Sequence, residues 1–261
     1  MPLIDIHKAT IWRGDTCVFE NLTLRIEQHE RVAILGPNGC GKTTLLKTIN
    51  RELYPVERDG SWVRILGRDD CNVRDLREHI GIVSQDLQTR YTPATTALEV
   101  VVSGFFSSIG VHGNLAAGVT DEHVARSRQT LAELGMADFC RTPLCEMSTG
   151  QQRRCLLARA LVHNPETLIL DEPTSGLDFA ASFDYLRRVR ELAAQGRNIV
   201  IATHHLNEIP HEVDRVVLLR AGHVVADGDK STVLSSENLS KAYSVPIKVV
   251  HVDGYFHAHP G

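Results

Sequence analysis

Apolar and polar residues alternate at period two over residues 3–9 and again over 22–26, the pattern of strands with one buried face. Between them Trp12 stands near a Gly14-Asp15 turn, surroundings that suit a half-buried sheet residue. The continuous apolar run 32–35 reads as a buried strand, and 45–49 has the spacing of a helix. After a turn at Tyr54-Pro55, strand character resumes at 62–66 and at 80–83, the latter ending in Ser84-Gln85.

The period then changes. Residues 88–163 carry helical signals and almost no β-branched alternation. Thr92-Pro93 predicts the opening of a helix that runs through 97–102, 104–118 reads as a glycine-dotted loop, and Thr120 caps a helix over 123–134. Strand character returns at 167–170, and a helix over 179–195 is closed by Gly196. A strand over 198–202, a helix from near Leu206 and a hairpin turning at Ala221-Gly222 complete the pattern. Strands alternating with helices predict an α/β fold with a largely parallel sheet and its ligand at the strands' carboxyl ends.

Composition narrows the class. With 43% hydrophobic residues, 261 positions can bury a full core as one large domain or one domain with an insertion. Six cysteines without a C-x-x-C pair or metal-ligand spacing suit a reducing cytosol better than a disulfide framework. The first residues lack the basic-then-apolar order of a signal peptide. No apolar stretch approaches the ~20 residues of a bilayer span, so the expectation is a cytoplasmic protein whose membrane role runs through a partner. A net charge of −4 without a Lys/Arg run argues against a sequence-independent grip on nucleic acid.

The chemistry centres on Gly36-Pro37-Asn38-Gly39-Cys40-Gly41-Lys42-Thr43-Thr44, lying between the buried strand and the helix start. Its glycines let the backbone wrap closely around a phosphate. The helix N-terminus turns its amides and dipole toward the anion. Lys42 would reach the β- and γ-phosphates, and the Thr43 hydroxyl would bind Mg²⁺. These features predict a P-loop that binds a nucleoside triphosphate. Cys40, inside the loop beside a lysine and a helix start, is expected to have a lowered pKa and to be the most reactive of the six thiols.

A second carboxylate site follows the apolar run 168–170. Asp171 at the strand end would hold Mg²⁺ through its water shell, and Glu172 would project to the other side and polarise the attacking water.

Met147-Ser148-Thr149-Gly150-Gln151-Gln152-Arg153, whose Gln151 stands 20 residues before Asp171, resembles the signature of ATP-binding-cassette ATPases. The family's commonest form begins Leu-Ser-Gly-Gly-Gln, so Met147 and Thr149 are departures. Met for Leu is a volume-conserving swap, and the phosphate donors Ser148 and Gly150 are kept. The resemblance extends from Ile4 to about Leu234 and implies roles for further residues. Trp12 would stack on adenine. Gln85 would join the core to a helical subdomain and contribute to the Mg²⁺ site, Asp178 would belong to the D-loop, and His204 would contact the γ-phosphate.

The implied fold is a P-loop NTPase core with a largely parallel sheet, an antiparallel β portion and an inserted helical subdomain. Residues 1–87 and 164–245 would form the core, 88–163 the helical signature subdomain and 246–261 a C-terminal tail, expected as a polar strand and a frayed end. The implied cofactors are ATP and Mg²⁺. Ser148, Thr149, Gly150, Gln151 and Asp178 would act in trans on ATP held by a second copy of the chain or a homologous ATPase subunit, giving a head-to-tail dimer. Lys42, Glu172 and His204 would carry hydrolysis. The leading reading is the ATPase subunit of a membrane transporter, peripheral on the cytoplasmic face and bound to transmembrane permease subunits. Residues 101–110 resemble the group that takes up iron chelates and oxyanions such as molybdate. The alternatives are a soluble ABC-type ATPase that remodels a cytosolic complex and a non-hydrolysing ATP-binding module, against which Glu172 and His204 argue.

Overall fold

The structure, a computed structural model, describes residues 1–70 and 72–261, with the backbone alone at Gln85. Its first segment runs β1 (Pro2–Arg13), β2 (Thr16–Glu27), β3 (Val32–Leu35), α1 (Lys42–Ile49) and β4 (Trp62–Ile65). There follow α2 (Val73–His79), β5 (Ile80–Val83), α3 (Gln85–Arg90), α4 (Ala97–Val102), α5 (Asn114–Ala117) and α6 (Asp121–Glu133). Then come α7 (Thr149–Leu161), β6 (Thr167–Asp171) and α8 (Phe179–Ala194). The last segment has β7 (Asn198–Thr203), β8 (Arg215–Arg220), β9 (His223–Asp229), α9 (Lys230–Val233), α10 (Ser236–Tyr243), β10 (Ile247–Val252) and β11 (Tyr255–Pro260). These elements form two compact units, one of Met1–Asn72 with Asn198–Gly261, the other of Val73–Arg197.

In the first unit β1 is flanked by β2 and β4, both antiparallel to it. The β1–β2 pair reaches further than the alternation alone indicates, from Pro2↔Glu27 to Arg13↔Thr16, because register shifts along it absorb the breaks in pattern. A second sheet sets β3 between β7 and β8, both parallel to it, with β9 antiparallel on β8. Strands β3 and β7 are buried at every residue, which is why 32–35 and 199–202 read as unbroken apolar runs. Ala33, Leu35, Val216 and Leu218 share one core cluster with Val233, Leu239 and Phe256.

Two expectations change here. The helix expected from Leu206 is a single 3₁₀ turn, Leu206–Glu208, because Pro210 cannot donate a helical hydrogen bond and disfavours a helical Ile209. The frayed tail is instead the hairpin β10–β11, paired from Ile247↔Pro260 to Val252↔Tyr255. It turns on Asp253-Gly254, both at positive φ, and Phe256 anchors it in the core.

In the second unit β5 and β6 pair in parallel, and α7 packs on α4, α6, α8 and β5. Helix α4 starts after Thr96 rather than at Thr92-Pro93. Thr96 and Glu99 form a reciprocal capping box that sets its first turn, while the Thr92 and Thr95 hydroxyls bond at 2.8 Å in the turn before it. The glycine-dotted stretch contains a 3₁₀ turn over Ser103–Phe106 as well as α5. No helix among the described residues is long and apolar enough to cross a membrane.

Candidate functional site

Strand β3 ends at Leu35, and the next amide, Gly36 N, donates to Thr203 O at 3.3 Å. The loop closes a turn through Cys40 N to Pro37 O at 3.3 Å and enters α1 at Gly41, whose φ is 114°. A Cβ at that position would lie 2.6 Å from Cζ of the buried Phe19 ring, so both the backbone and the space demand glycine. Lys42 is only 5% exposed, and its ammonium donates to Gly36 O at 2.7 Å and Pro37 O at 3.2 Å. The cation therefore arches across the loop.

The loop is propped from outside. Gly222 N donates to Cys40 O at 3.0 Å from the tip of the β8–β9 hairpin, where Ala221 and Gly222 have φ of 45° and 77°. A Cβ on Gly222 would meet Val18 O at 2.0 Å. At the front, Asn38 and Gly39 are exposed, and the Cβ side of Gly39 faces open space. The i→i−4 ladder of α1 begins with Leu45 N donating to Gly41 O at 2.9 Å, so the helix opens with its amide end behind the loop. An open-fronted glycine turn, an arching ammonium and a helix N-terminus form a donor set suited to a triphosphate chain. Cys40 is 2% exposed, with its sulfur 2.7 Å from where a Gly36 Cβ would stand. The thiol expected to be reactive is packed inside the loop.

His204 follows β7 directly, and the pairing Leu35↔Thr203 brings it beside the start of the loop. Two residues without a motif hold this corner. The Thr203 hydroxyl donates to the buried carboxylate of Glu208 and accepts from His205 N at 2.9 Å. The Tyr243 hydroxyl donates to His204 O at 3.2 Å. The two histidine rings stand 3.8 Å apart between centroids, His204 partly buried and His205 exposed. Trp12, near the end of β1, is 45% exposed and has ring surface available for stacking.

In the second unit Asp171 closes β6 at 7% exposure. Glu172 has φ of 46°, a left-handed conformation that costs a non-glycine residue about 1–3 kcal/mol. Ser175 N holds it by donating to Glu172 O at 3.1 Å. Ser148 caps α7, its hydroxyl accepting from Gln151 N at 3.3 Å while Gln151 Oε1 accepts from Ser148 N at 2.8 Å. Two signature side chains thus build the first helical turn and leave the hydroxyl proton able to donate outward. Thr149 is the first residue of α7, so the departure from the commoner glycine is met by an ordinary helical backbone.

The start of α7 meets the start of α8. A Cβ on Gly150 would stand 3.0 Å from Cβ of Ala181, whose amide donates to the cap residue Asp178 at 2.8 Å. The buried Arg153 donates to Ser175 O at 3.4 Å. Gln152 Nε2 donates to Leu144 O at 2.8 Å and Met147 O at 3.1 Å. Its Oε1 accepts from Gln88 on α3, the helix that starts at Gln85. The side chain of Gln85 itself lies outside the described residues.

A profile for a family described as ABC transporter matches residues 19–175. An uncharacterized ABC transporter ATP-binding protein of Bacillus subtilis, YlmA, is 30% identical over 253 residues, covering 95% of this chain and 93% of that protein. The cobalt import ATP-binding protein CbiO of Rhodobacter capsulatus is 36% identical over 229 residues, covering 85% of this chain and 76% of that one. Among solved structures, the dimeric post-hydrolysis state of an ATP-binding cassette bound to ADP and Pi has a TM-score of 0.71 at 27% identity, covering 87% of this chain and 98% of that chain.

Proposed function

The chain belongs to the ABC transporter family as an ATP-binding subunit with ATPase activity, and we propose that it powers solute uptake by closing head to tail on a second copy. The observation that carries this reading is the presence of two anion-ready helix starts, α1 behind the glycine loop and α7 behind Ser148. Each ATP takes the first from one copy and the second from the other.

The loop amides and Lys42 bind the β- and γ-phosphates, and Trp12 stacks on adenine. Thr43, Asp171 and Gln85 would hold Mg²⁺, which would supply positive charge to neutralise the phosphate oxygens. Glu172 orients the attacking water, and His204 contacts the γ-phosphate. Ser148, Thr149, Gly150, Gln151 and Asp178 complete the site in trans. Loss of the γ-phosphate removes the contacts shared between copies and opens the dimer. Residues 1–87 and 164–245 serve as the nucleotide core and 88–163 as the arm that meets transmembrane permease subunits on the cytoplasmic face, with 246–261 a tail. The cargo we assign is a metal chelate or an oxyanion; the relative named for cobalt import supports a metal-containing cargo in general.

Glu172→Gln tests the reading, since it keeps the shape and removes the base. Turnover should be abolished, and size-exclusion chromatography should show an ATP-dependent dimer. ATPase activity near that of the parent would overturn the assignment.

A further inference from the structure

In the second unit a cavity of about 830 Å³ is lined from α6, from the end of α7 and the turn to β6, and from the C-terminal half of α8 and the turn after it. That is the size of a small-molecule site. None of the residues assigned to the nucleotide lines it. Its walls combine Leu134, Leu161 and Leu192 with Arg126, Arg188 and Arg197.

The cavity's two carboxylates already have partners. Glu133 accepts from Gln129 at 2.9 Å and lies 3.7 Å from Arg126 Nη1, and Glu191 lies 3.8 Å from Arg187. Arg188 is paired with Asp184 at 3.3 Å. Arg197 is different. Its terminal nitrogens are anchored on Pro165 O and, at 2.6 Å, on Asn164 Oδ1, both neutral groups. Its Nε is buried without a hydrogen-bond acceptor in the protein, and among the described residues it pairs with no carboxylate. Burial, and then the positive charge of Arg126, push the Arg197 pKa below the ordinary guanidinium value, with Glu133 opposing them. The group stays protonated all the same, so two cations face one cavity and disfavour each other.

One dianionic group relieves that repulsion better than a single carboxylate, and guanidinium matches phosphate geometry with paired N–H donors. A phosphate monoester carries close to two negative charges at neutral pH. We propose that this cavity binds a small phosphate monoester bearing an apolar group, its phosphate between Arg126 and Arg197 and its apolar part against the three leucines. The proposal is independent of the nucleotide site.

The test uses the full chain saturated with Mg-ADP, so that the phosphate loop is filled, and phenyl phosphate as probe in isothermal titration calorimetry. Saturable binding is expected, at least about tenfold tighter than benzoate or inorganic phosphate, which lack the second charge and the apolar group respectively. Arg126→Gln and Arg197→Gln should each weaken it by about tenfold or more, as loss of a charged hydrogen-bond partner does. The Arg126 side chain is 30% exposed, so that variant should fold normally, which a thermal melt verifies. Glu172→Gln should bind the probe as the parent does, whatever its ATPase activity. No saturable binding, inorganic phosphate binding as tightly as the ester, or unchanged affinity in Arg126→Gln would each overturn the proposal.

Discussion

Gln88 Nε2 donates to Gln152 Oε1 at 2.5 Å, joining the helix that begins at Gln85 to the helix that Ser148 caps. Gln152 uses its amide nitrogen as well, bonding Leu144 O and Met147 O just ahead of the signature. One side chain thus fixes the approach to α7 and links it to α3. Gln88→Ala should cost about 0.5–1.5 kcal/mol for one lost bond, whereas Gln152→Ala, losing three, should cost more. Urea denaturation of both variants measures the difference, and equal costs would remove Gln152 from its central place.

Gly222 supports the phosphate loop through its amide, and a side chain there would collide with Val18 O at a positive φ. Gly222→Ala should therefore displace the hairpin tip, weaken ATP binding and destabilise the fold by about 2 kcal/mol or more. Gly14→Ala, at a turn with open space around it, should cost only its backbone strain and leave ATP affinity alone. Nucleotide titrations and thermal melts of the pair decide this.

Only one tryptophan is free to report on nucleotide. Trp62 donates to Asp5 Oδ2 at 3.2 Å and stacks on His7 at 4.4 Å, whereas Trp12 is 45% exposed. ATP should change the emission of the parent and of Trp62→Phe but not of Trp12→Phe. Trp12→Ala should weaken binding by about 1–3 kcal/mol, the value of base–aromatic stacking. Unchanged affinity would leave Trp12 an ordinary hairpin residue.

Tyr243 lies far along the chain from His204 yet donates to its carbonyl at 3.2 Å. Tyr243→Phe removes that bond and keeps the ring. Turnover should fall about two- to tenfold, the worth of one hydrogen bond, with ATP affinity unchanged. Steady-state kinetics test this, and a loss confined to affinity would count against a positioning role.

The cysteines differ in burial, and their order of modification should follow it. Cys17 and Cys145 are exposed, Cys40 is 2% exposed, and burial pushes Cys155 up to about 12. N-ethylmaleimide on the native protein, followed by peptide mass spectrometry, should label Cys17 and Cys145 before Cys40 and leave Cys155 unmodified. Early labelling of Cys40 would show that the loop opens readily.

Local order along the chain determined the strand, loop and helix that carry the glycine-rich motif. The run 32–35, the glycines after it and the helical spacing beyond specify strand, loop and helix through neighbouring residues alone. The same holds for the cap at Thr120, realised with His123 as its partner, and for the Ala221-Gly222 turn between β8 and β9. The Asp253-Gly254 dipeptide, between Val252 and Tyr255, carried an equally local hairpin signal. Tertiary structure alone decided what supports these parts: Phe19 beneath Gly41, Gly222 against Cys40, Tyr243 on His204 and Gln88 on Gln152. It also buried the thiol that its neighbours in sequence would make reactive. The physical reason is that periodicity and capping are interactions between residues a few positions apart. Which distant side chain fills a given contact depends on strand register and helix packing, and these exist only once the core has formed.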